Sequence, residues 1–242
     1  MVQQLPFHSE FDLRNSVSVK ISKILILVVI ILSLTHVAYL FLLNSNFENK
    51  FALNILLKLF YLDAEQTIPA WFSSCILWSC GVGLLVISFL EKNSSIGKYW
   101  FLIGLSLLYV SLDESISLHE YGVTITNNLA ARNNIELPDF LVYSWVIPAS
   151  ICVLILAIVL IPFFVRLESQ LRKALLISGM VYLSGAVGFE MIGGYAAVNS
   201  YKTLYLVAMT VEEILEMFGA IILLHATVTQ FFYKANLFIK AD

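Results

Sequence analysis

The sequence contains little charge, since Asp, Glu, Lys and Arg together make up 13% of its 242 residues. Soluble domains carry about 25% charged residues. Hydrophobic residues instead reach 60%, and the mean hydropathy is +0.87. This composition excludes a soluble globular enzyme and a disordered chain, and a net charge of −3 leaves no basic surface for a nucleic acid. It is typical of an integral membrane protein.

Cysteine is also scarce, with three residues that all fall in apolar runs: Cys75, Cys80 and Cys152. The first two have the spacing CxxxxC, which is neither a redox CxxC pair nor a zinc knuckle. The pattern excludes a disulfide framework and predicts that the three thiols are buried as small hydrophobic groups.

Long apolar runs are abundant, and six of them are long enough to cross a hydrocarbon layer about 30 Å thick as a helix. We therefore predict an all-α fold, a polytopic membrane helical bundle that forms a single domain over residues 1–242. An amphipathic stretch over 51–62 is expected to be an interfacial helix. The six predicted spans cover approximately 21–43, 69–90, 99–121, 140–165, 174–195 and 201–232.

The basic residues predict the orientation of these spans. Ten fall on one side of the six-span arrangement: Arg14, Lys20, Lys23, Lys92, Lys98, Arg166, Arg172, Lys173, Lys234 and Lys240. Four fall on the other: Lys50, Lys58, Arg132 and Lys202. The positive-inside rule then places both termini in the cytoplasm (N-in, C-in). This fits a cell membrane of the bacterial inner-membrane type, with a thylakoid as the alternative, and the acids on the cytoplasmic side, such as Glu91 and Glu168, are expected to be solvated.

Spacing predicts further details of the helices. Asp113 and Glu120 lie seven residues apart on the third span and are expected to share one face. The small pair Ser184 and Gly188 is expected to let another helix approach the fifth span. Pro148 is expected to kink the fourth span, and residues 122–139 are expected to form a loop that acts as a lid.

Seven carboxyl groups fall inside the predicted spans, although ionisable groups in a bilayer cost about 2.5–3.5 kcal/mol each and mark function by default. The predicted orientation puts all of them in the outer half of the bundle. No Lys or Arg lies in the hydrophobic core of any span, so histidine is their one basic partner. These acids must therefore take up protons or bind cations. They are Asp113, Glu114 and Glu120 in the third span, Glu190 in the fifth, and Glu212, Glu213 and Glu216 in the sixth.

Oxygen ligands combined with imidazole suit a divalent metal such as Mn, Fe or Zn. We predict a metal site, and a metal-dependent membrane enzyme that acts on a lipid or a small hydrophobic molecule. Glu213 is predicted to act as a general base or to orient a ligand. His36 is either a ligand or a structural residue, and His225 is predicted to be structural. The predicted metal ligands are Asp113, Glu114, His119, Glu120, Glu190, Glu212 and Glu216.

Two other classes of function remain open from the sequence. Chains of acids and histidines also mark proton- or cation-coupled transporters and channels. Stripes of small residues are also typical of an accessory subunit that packs into a homo-oligomer or a larger membrane complex. The bilayer is the expected partner in all three cases, and no nucleic acid is expected.

Three motifs carry a resemblance to known proteins: Leu112-Asp-Glu-x-x-x-x-His-Glu120, Glu212-Glu-x-x-Glu-Met-x-Gly219 and Asp63-x-Glu-x-x-x-Pro-x-Trp-Phe-Ser73. They resemble a family of uncharacterised bacterial membrane proteins with six helices. The resemblance covers parts of the second, third and sixth spans and the loop before the second. It implies the multispanning fold but no particular activity.

Overall fold

The computed structural model describes residues 7–44, 55, 58–64 and 66–241, and within these ranges the regular structure is helical throughout. A 3₁₀ turn covers Asp139–Leu141, and a π-helical segment covers Ser184–Phe189. The predicted interfacial helix over 51–62 lies mostly outside the described residues. The α-helices are α1 (Phe7–Asn44), α2 (Ile68–Leu90), α3 (Gly97–Ile116), α4 (Leu118–Arg132), α5 (Val146–Arg166), α6 (Ser169–Leu183), α7 (Glu190–Val198) and α8 (Lys202–Ala241).

Five helical stretches are long and apolar enough to cross a membrane. They confirm the prediction of an all-helical membrane protein. The sixth predicted span falls in α8, which is 40 residues long but carries three glutamates and is not among the five. The count of six and the orientation therefore stay predictions. The five stretches are Val17–Leu42, Ile68–Leu90, Gly97–Ile116, Val146–Arg166 and Ser169–Val198.

The helices pack through small residues and two apolar clusters. α2 and α3 approach closely because Gly81 and Gly104 face each other, and a Cβ on Gly104 would lie 2.9 Å from the carbonyl oxygen of Gly81. Cys80 is fully buried among α1, α2 and α8, as predicted, and all three cysteines are free. The predicted burial of Cys152 is wrong, because this residue lies on the exposed side of α5.

The third predicted span is interrupted. α3 ends at Ile116, and Ser117 adopts a left-handed conformation (φ 52°, ψ 49°) before α4 begins at Leu118. Asp113 stabilises the break, because its Oδ1 accepts the backbone N–H of His119 in the first turn of α4 at 2.7 Å. Asp113 and Glu120 are therefore not on one continuous helical face. The loop predicted over 122–139 is also wrong for its first part, which is helical as far as Arg132.

The expected kink at Pro148 is absent for a simple reason. α5 begins at Val146, so Pro148 falls in the first turn, where a backbone N–H has no helical acceptor to lose. Ser144 precedes the helix, and its hydroxyl donates to the carbonyl oxygen of Val123 at 3.2 Å, which ties α5 to α4.

The π-helical segment changes which small residue meets α8. Each π turn contains more residues than an α turn and rotates the following side chains. A Cβ on Gly185 would lie 2.7 Å from the backbone oxygen of Glu212, whereas nothing lies within 4 Å of one on Gly188. The close approach predicted at Ser184 and Gly188 therefore occurs at Gly185, immediately beside the glutamates of α8.

Candidate functional site: a carboxyl-lined cavity

A cavity of about 280 Å³ lies at one end of the bundle, where α1 and α3 end and α2 and α8 begin. We call this end the cavity end. All eight residues predicted for the site line the cavity: Asp113, Glu114, His119, Glu120, Glu190, Glu212, Glu213 and Glu216. The fold therefore brings these residues together, although their chemical roles stay predictions.

Asp113 and His119 form a hydrogen-bonded pair on one wall. The second carboxyl oxygen of Asp113, Oδ2, lies 3.2 Å from Nδ1 of His119. Since a carboxylate accepts, this contact places an imidazole proton on Nδ1. The imidazole also packs against the indole of Trp145, with 4.9 Å between the ring centroids. The orientation of His119 is thus set from two sides.

Trp145 links this wall to the opposite one. Its indole N–H donates to Oε1 of Glu190 at 2.7 Å. Glu190 in turn is hydrogen-bonded to Glu212 of α8. A hydrogen bond between two carboxyl groups needs one proton between them, so this pair shares a proton.

The remaining glutamates of α8 lie deeper in the wall. The carboxyl group of Glu216 is hydrogen-bonded to Tyr182, and the residue is only 8% exposed. Glu213 has no hydrogen-bond partner among the described residues, and the charged groups that act on it are all carboxyls: Glu114, Glu216, Glu212 and Asp63. Gly185 allows this arrangement, since a side chain there would meet the backbone of α8.

The rim of the cavity contains residues that the predicted site did not include. Asp63 accepts the hydroxyl of Tyr205 at 3.2 Å, and Tyr143 and Trp145 lie in the segment before α5. Burial and the nearby Asp63 raise the pKa of Tyr61, beside this rim, to about 12. Burial and Glu190 likewise raise the pKa of Tyr143. Both phenols therefore stay protonated at neutral pH. The motif that begins at Asp63 was the available sequence signal, and Glu65 of that motif lies outside the described residues.

The two histidines weighed as structural residues lie outside the cavity wall. The backbone N–H of Leu62 donates to Nδ1 of His36 at 3.2 Å, and Nε2 lies 3.2 Å from the hydroxyl of Thr210. His36 is fully buried and ties the segment before α2 to α1 and α8. His225 lies 3.3 Å from the hydroxyl of Ser22 and joins α8 to α1, consistent with its predicted structural role.

The cavity wall has no Lys or Arg among the residues the structure describes. In the same ranges, no group of three or more His, Cys, Asp or Glu side chains is arranged to hold a metal ion. The donor types suit a hard metal, but the structure does not bring three of them to one point. The residues predicted for the metal site therefore have suitable donor atoms, but they do not form a preformed ligand set.

A family model described as "Domain of unknown function (DUF8692)" matches residues 18–231. The matched region contains every residue of the cavity wall. No curated protein and no solved structure matches the chain. The chain belongs to the family described as a domain of unknown function, DUF8692.

Proposed function

We propose that this membrane protein binds a cation in the carboxyl-lined cavity. The observation that carries the proposal is the charge of the wall. No Lys or Arg lines the cavity among the described residues, whereas eight carboxyl groups do: Asp63, Asp113, Glu114, Glu120, Glu190, Glu212, Glu213 and Glu216. Carboxyl groups that are crowded on one wall need protons or cations to be stable, because their negative charges repel each other.

The contact between Glu190 and Glu212 supports this proposal. The proton that these two groups share occupies a place that a bound cation would fill. Cation binding is then expected to displace this shared proton to the solvent, so that one positive charge replaces another. The eight acids of the wall lie at one end of the bundle, and this favours binding from one side of the membrane.

The proposal can be tested by titrating the detergent-purified protein with cations in an isothermal calorimeter. Potassium, manganese and tetramethylammonium chlorides serve as probes, each in two buffers with different ionisation enthalpies. We expect saturable binding of at least one probe with proton release, and loss of that release in Glu212→Gln. The matched control is Glu168→Gln, which removes an exposed carboxylate far from the cavity. A folded, monodisperse protein that binds none of the probes would contradict the proposal.

A metal-dependent enzyme is the second candidate, and the pair of Asp113 and His119 favours it. Histidines that bind metals commonly donate their other ring N–H to a carboxylate, which is the arrangement found here. Mn, Fe or Zn held by the predicted ligands would act as a Lewis acid at the wall of the cavity. Glu213, which has no hydrogen-bond partner among the described residues, would be the group that accepts a proton.

Elemental analysis distinguishes this second candidate. The purified protein is compared with the double variant Glu212→Gln, Glu216→Gln. Stoichiometric Mn, Fe or Zn in the parent and its loss in the variant would support a metal centre, and assays with lipid substrates would follow. Protein that is folded and free of metal in both forms would count against it. The accessory-subunit prediction would gain support from a stable larger complex in mild detergent.

A further inference from the structure

We infer that the cation bound in this cavity is a small organic ammonium ion. The inference rests on the proposed function and narrows it to one class of ligand. It follows from three features of the wall, namely its size, its aromatic side chains and the position of Glu213.

Size is the first argument. The cavity measures about 280 Å³, whereas one water molecule takes up about 30 Å³ in the liquid. A single dehydrated metal ion would leave most of this space unfilled. Sites for small organic molecules begin at about 300 Å³, so the volume fits a small organic ligand.

Aromatic side chains are the second argument. Four of them line the cavity between the acids: Tyr143, Trp145, Tyr182 and Tyr205. Organic ammonium ions bind well to walls that combine aromatic rings with carboxylates, because the ring faces attract a weakly hydrated cation. The polar atoms of three of these rings are held by acids of the same wall, namely Glu190, Glu216 and Asp63. The rings are therefore already oriented before a ligand enters.

Glu213 is the third argument. It lies in the wall as a half-buried side chain, and it has no hydrogen-bond partner within the described ranges. Each of its neighbours Glu190, Glu212 and Glu216 is engaged in a hydrogen bond. The charged groups that act on Glu213 are other acids, which makes its own negative charge costly, and an ammonium group in the cavity would supply a counter-charge.

The candidate ligands can be distinguished by their affinities. The full-length protein in detergent at pH 8 is titrated with choline chloride, n-butylammonium chloride, manganese chloride and potassium chloride. We expect at least one of the ammonium ions to bind. Glu213→Gln is expected to weaken that binding at least tenfold. Trp145→Leu, which removes the indole ring, is expected to weaken it about tenfold. The control variant Glu168→Gln should leave the affinity for every probe unchanged.

The outcomes distinguish this inference from the proposed function. If manganese or potassium binds and neither ammonium ion does, the organic ligand is wrong and the cation-binding cavity stands. If no cation binds to folded protein, both are wrong. If Glu213→Gln fails to fold, as judged by size-exclusion chromatography, Trp145→Leu still tests whether the cavity binds an organic ammonium ion. Unchanged ammonium binding in that variant would overturn the role of the aromatic wall.

Discussion

Two tryptophan–glutamate pairs lie at opposite ends of the bundle, and they differ in what neutralises the acid. At the end away from the cavity, the indole of Trp100 donates to Glu91 at 2.8 Å, and Lys234 of α8 forms an ion pair with the same carboxylate. At the cavity end, Trp145 donates to Glu190 at 2.7 Å, and the next group is another acid, Glu212.

The difference separates a structural acid from one that requires an external charge. Glu91 is only 10% exposed, but its charge is balanced within the protein. The expectation that Glu91 is solvated is therefore wrong, whereas Glu168 is exposed as expected. The described part of the wall around Glu190 contains no Lys or Arg, so protons or a ligand must neutralise the negative charge of its acids.

The largest expected effect comes from breaking the balanced pair. Lys234→Ala leaves Glu91 buried without its counter-charge, and removal of one partner of a buried ion pair costs about 3 kcal/mol in free energy of unfolding. Unfolding in mixed detergent and SDS micelles, followed by tryptophan fluorescence, measures the change. Lys173→Ala, at an exposed position, is the control. A loss no greater than that of the control would show that Glu91 is solvated after all.

A smaller effect is expected where α8 meets the π-helical segment. Gly185→Ala places a Cβ against the backbone oxygen of Glu212, and this overpacking should cost about 2 kcal/mol. Gly188→Ala, three residues away with open space around it, should instead stabilise the protein by about 0.5 kcal/mol. The same unfolding assay compares the two variants. Equal effects would mean that the close approach does not occur at Gly185.

Removing an unbalanced acid should have the opposite sign from breaking the balanced pair. Glu213→Gln replaces an acid that must either carry a charge beside other carboxyl groups or take up a proton, so the unliganded protein should gain on the order of 1 kcal/mol. The change in stability is measured by thermal unfolding at pH 8, in a solution that contains no cations beyond those of the buffer. Destabilisation relative to Glu168→Gln would indicate that Glu213 already has a partner in the protein.

The smallest effect is expected at the rim. The folded pKa of Tyr61 is about 12 against 10.0 for a free phenol, so its contribution to stability is complete below pH 10 and is lost as the pH rises from 10 towards 12. Tyr61→Phe should therefore flatten the alkaline part of the stability profile. Unfolding at pH 8 and pH 11 measures this change, with phenolate absorbance near 295 nm as a second signal. Identical profiles for parent and variant would show that Tyr61 is solvated.

Several features of the site could be predicted from the sequence because they depend on the lengths of apolar runs and on the positions of acids within them. Apolar run length predicts the helical membrane fold, and the predicted depth of the acids explains why those on α3, α7 and α8 meet at one end. Trp145 and Tyr205 were missed because an aromatic residue near a helix end gives the same pattern whether it faces lipid or a cavity. His36 could not be assigned for a similar reason, since its hydrogen bond to Leu62 joins distant segments.

Composition and run length alone determined that this chain forms apolar helices, and that the core of those helices contains acids but no Lys or Arg. Tertiary structure decided the break at Ser117, the π-helical segment before Glu190, and the contrast between Glu91 and Glu190. The physical reason is that these features depend on contacts between residues far apart in the chain. Lys234 reaches Glu91 across more than half of the sequence, and no local pattern distinguishes that glutamate from one that remains without a counter-charge.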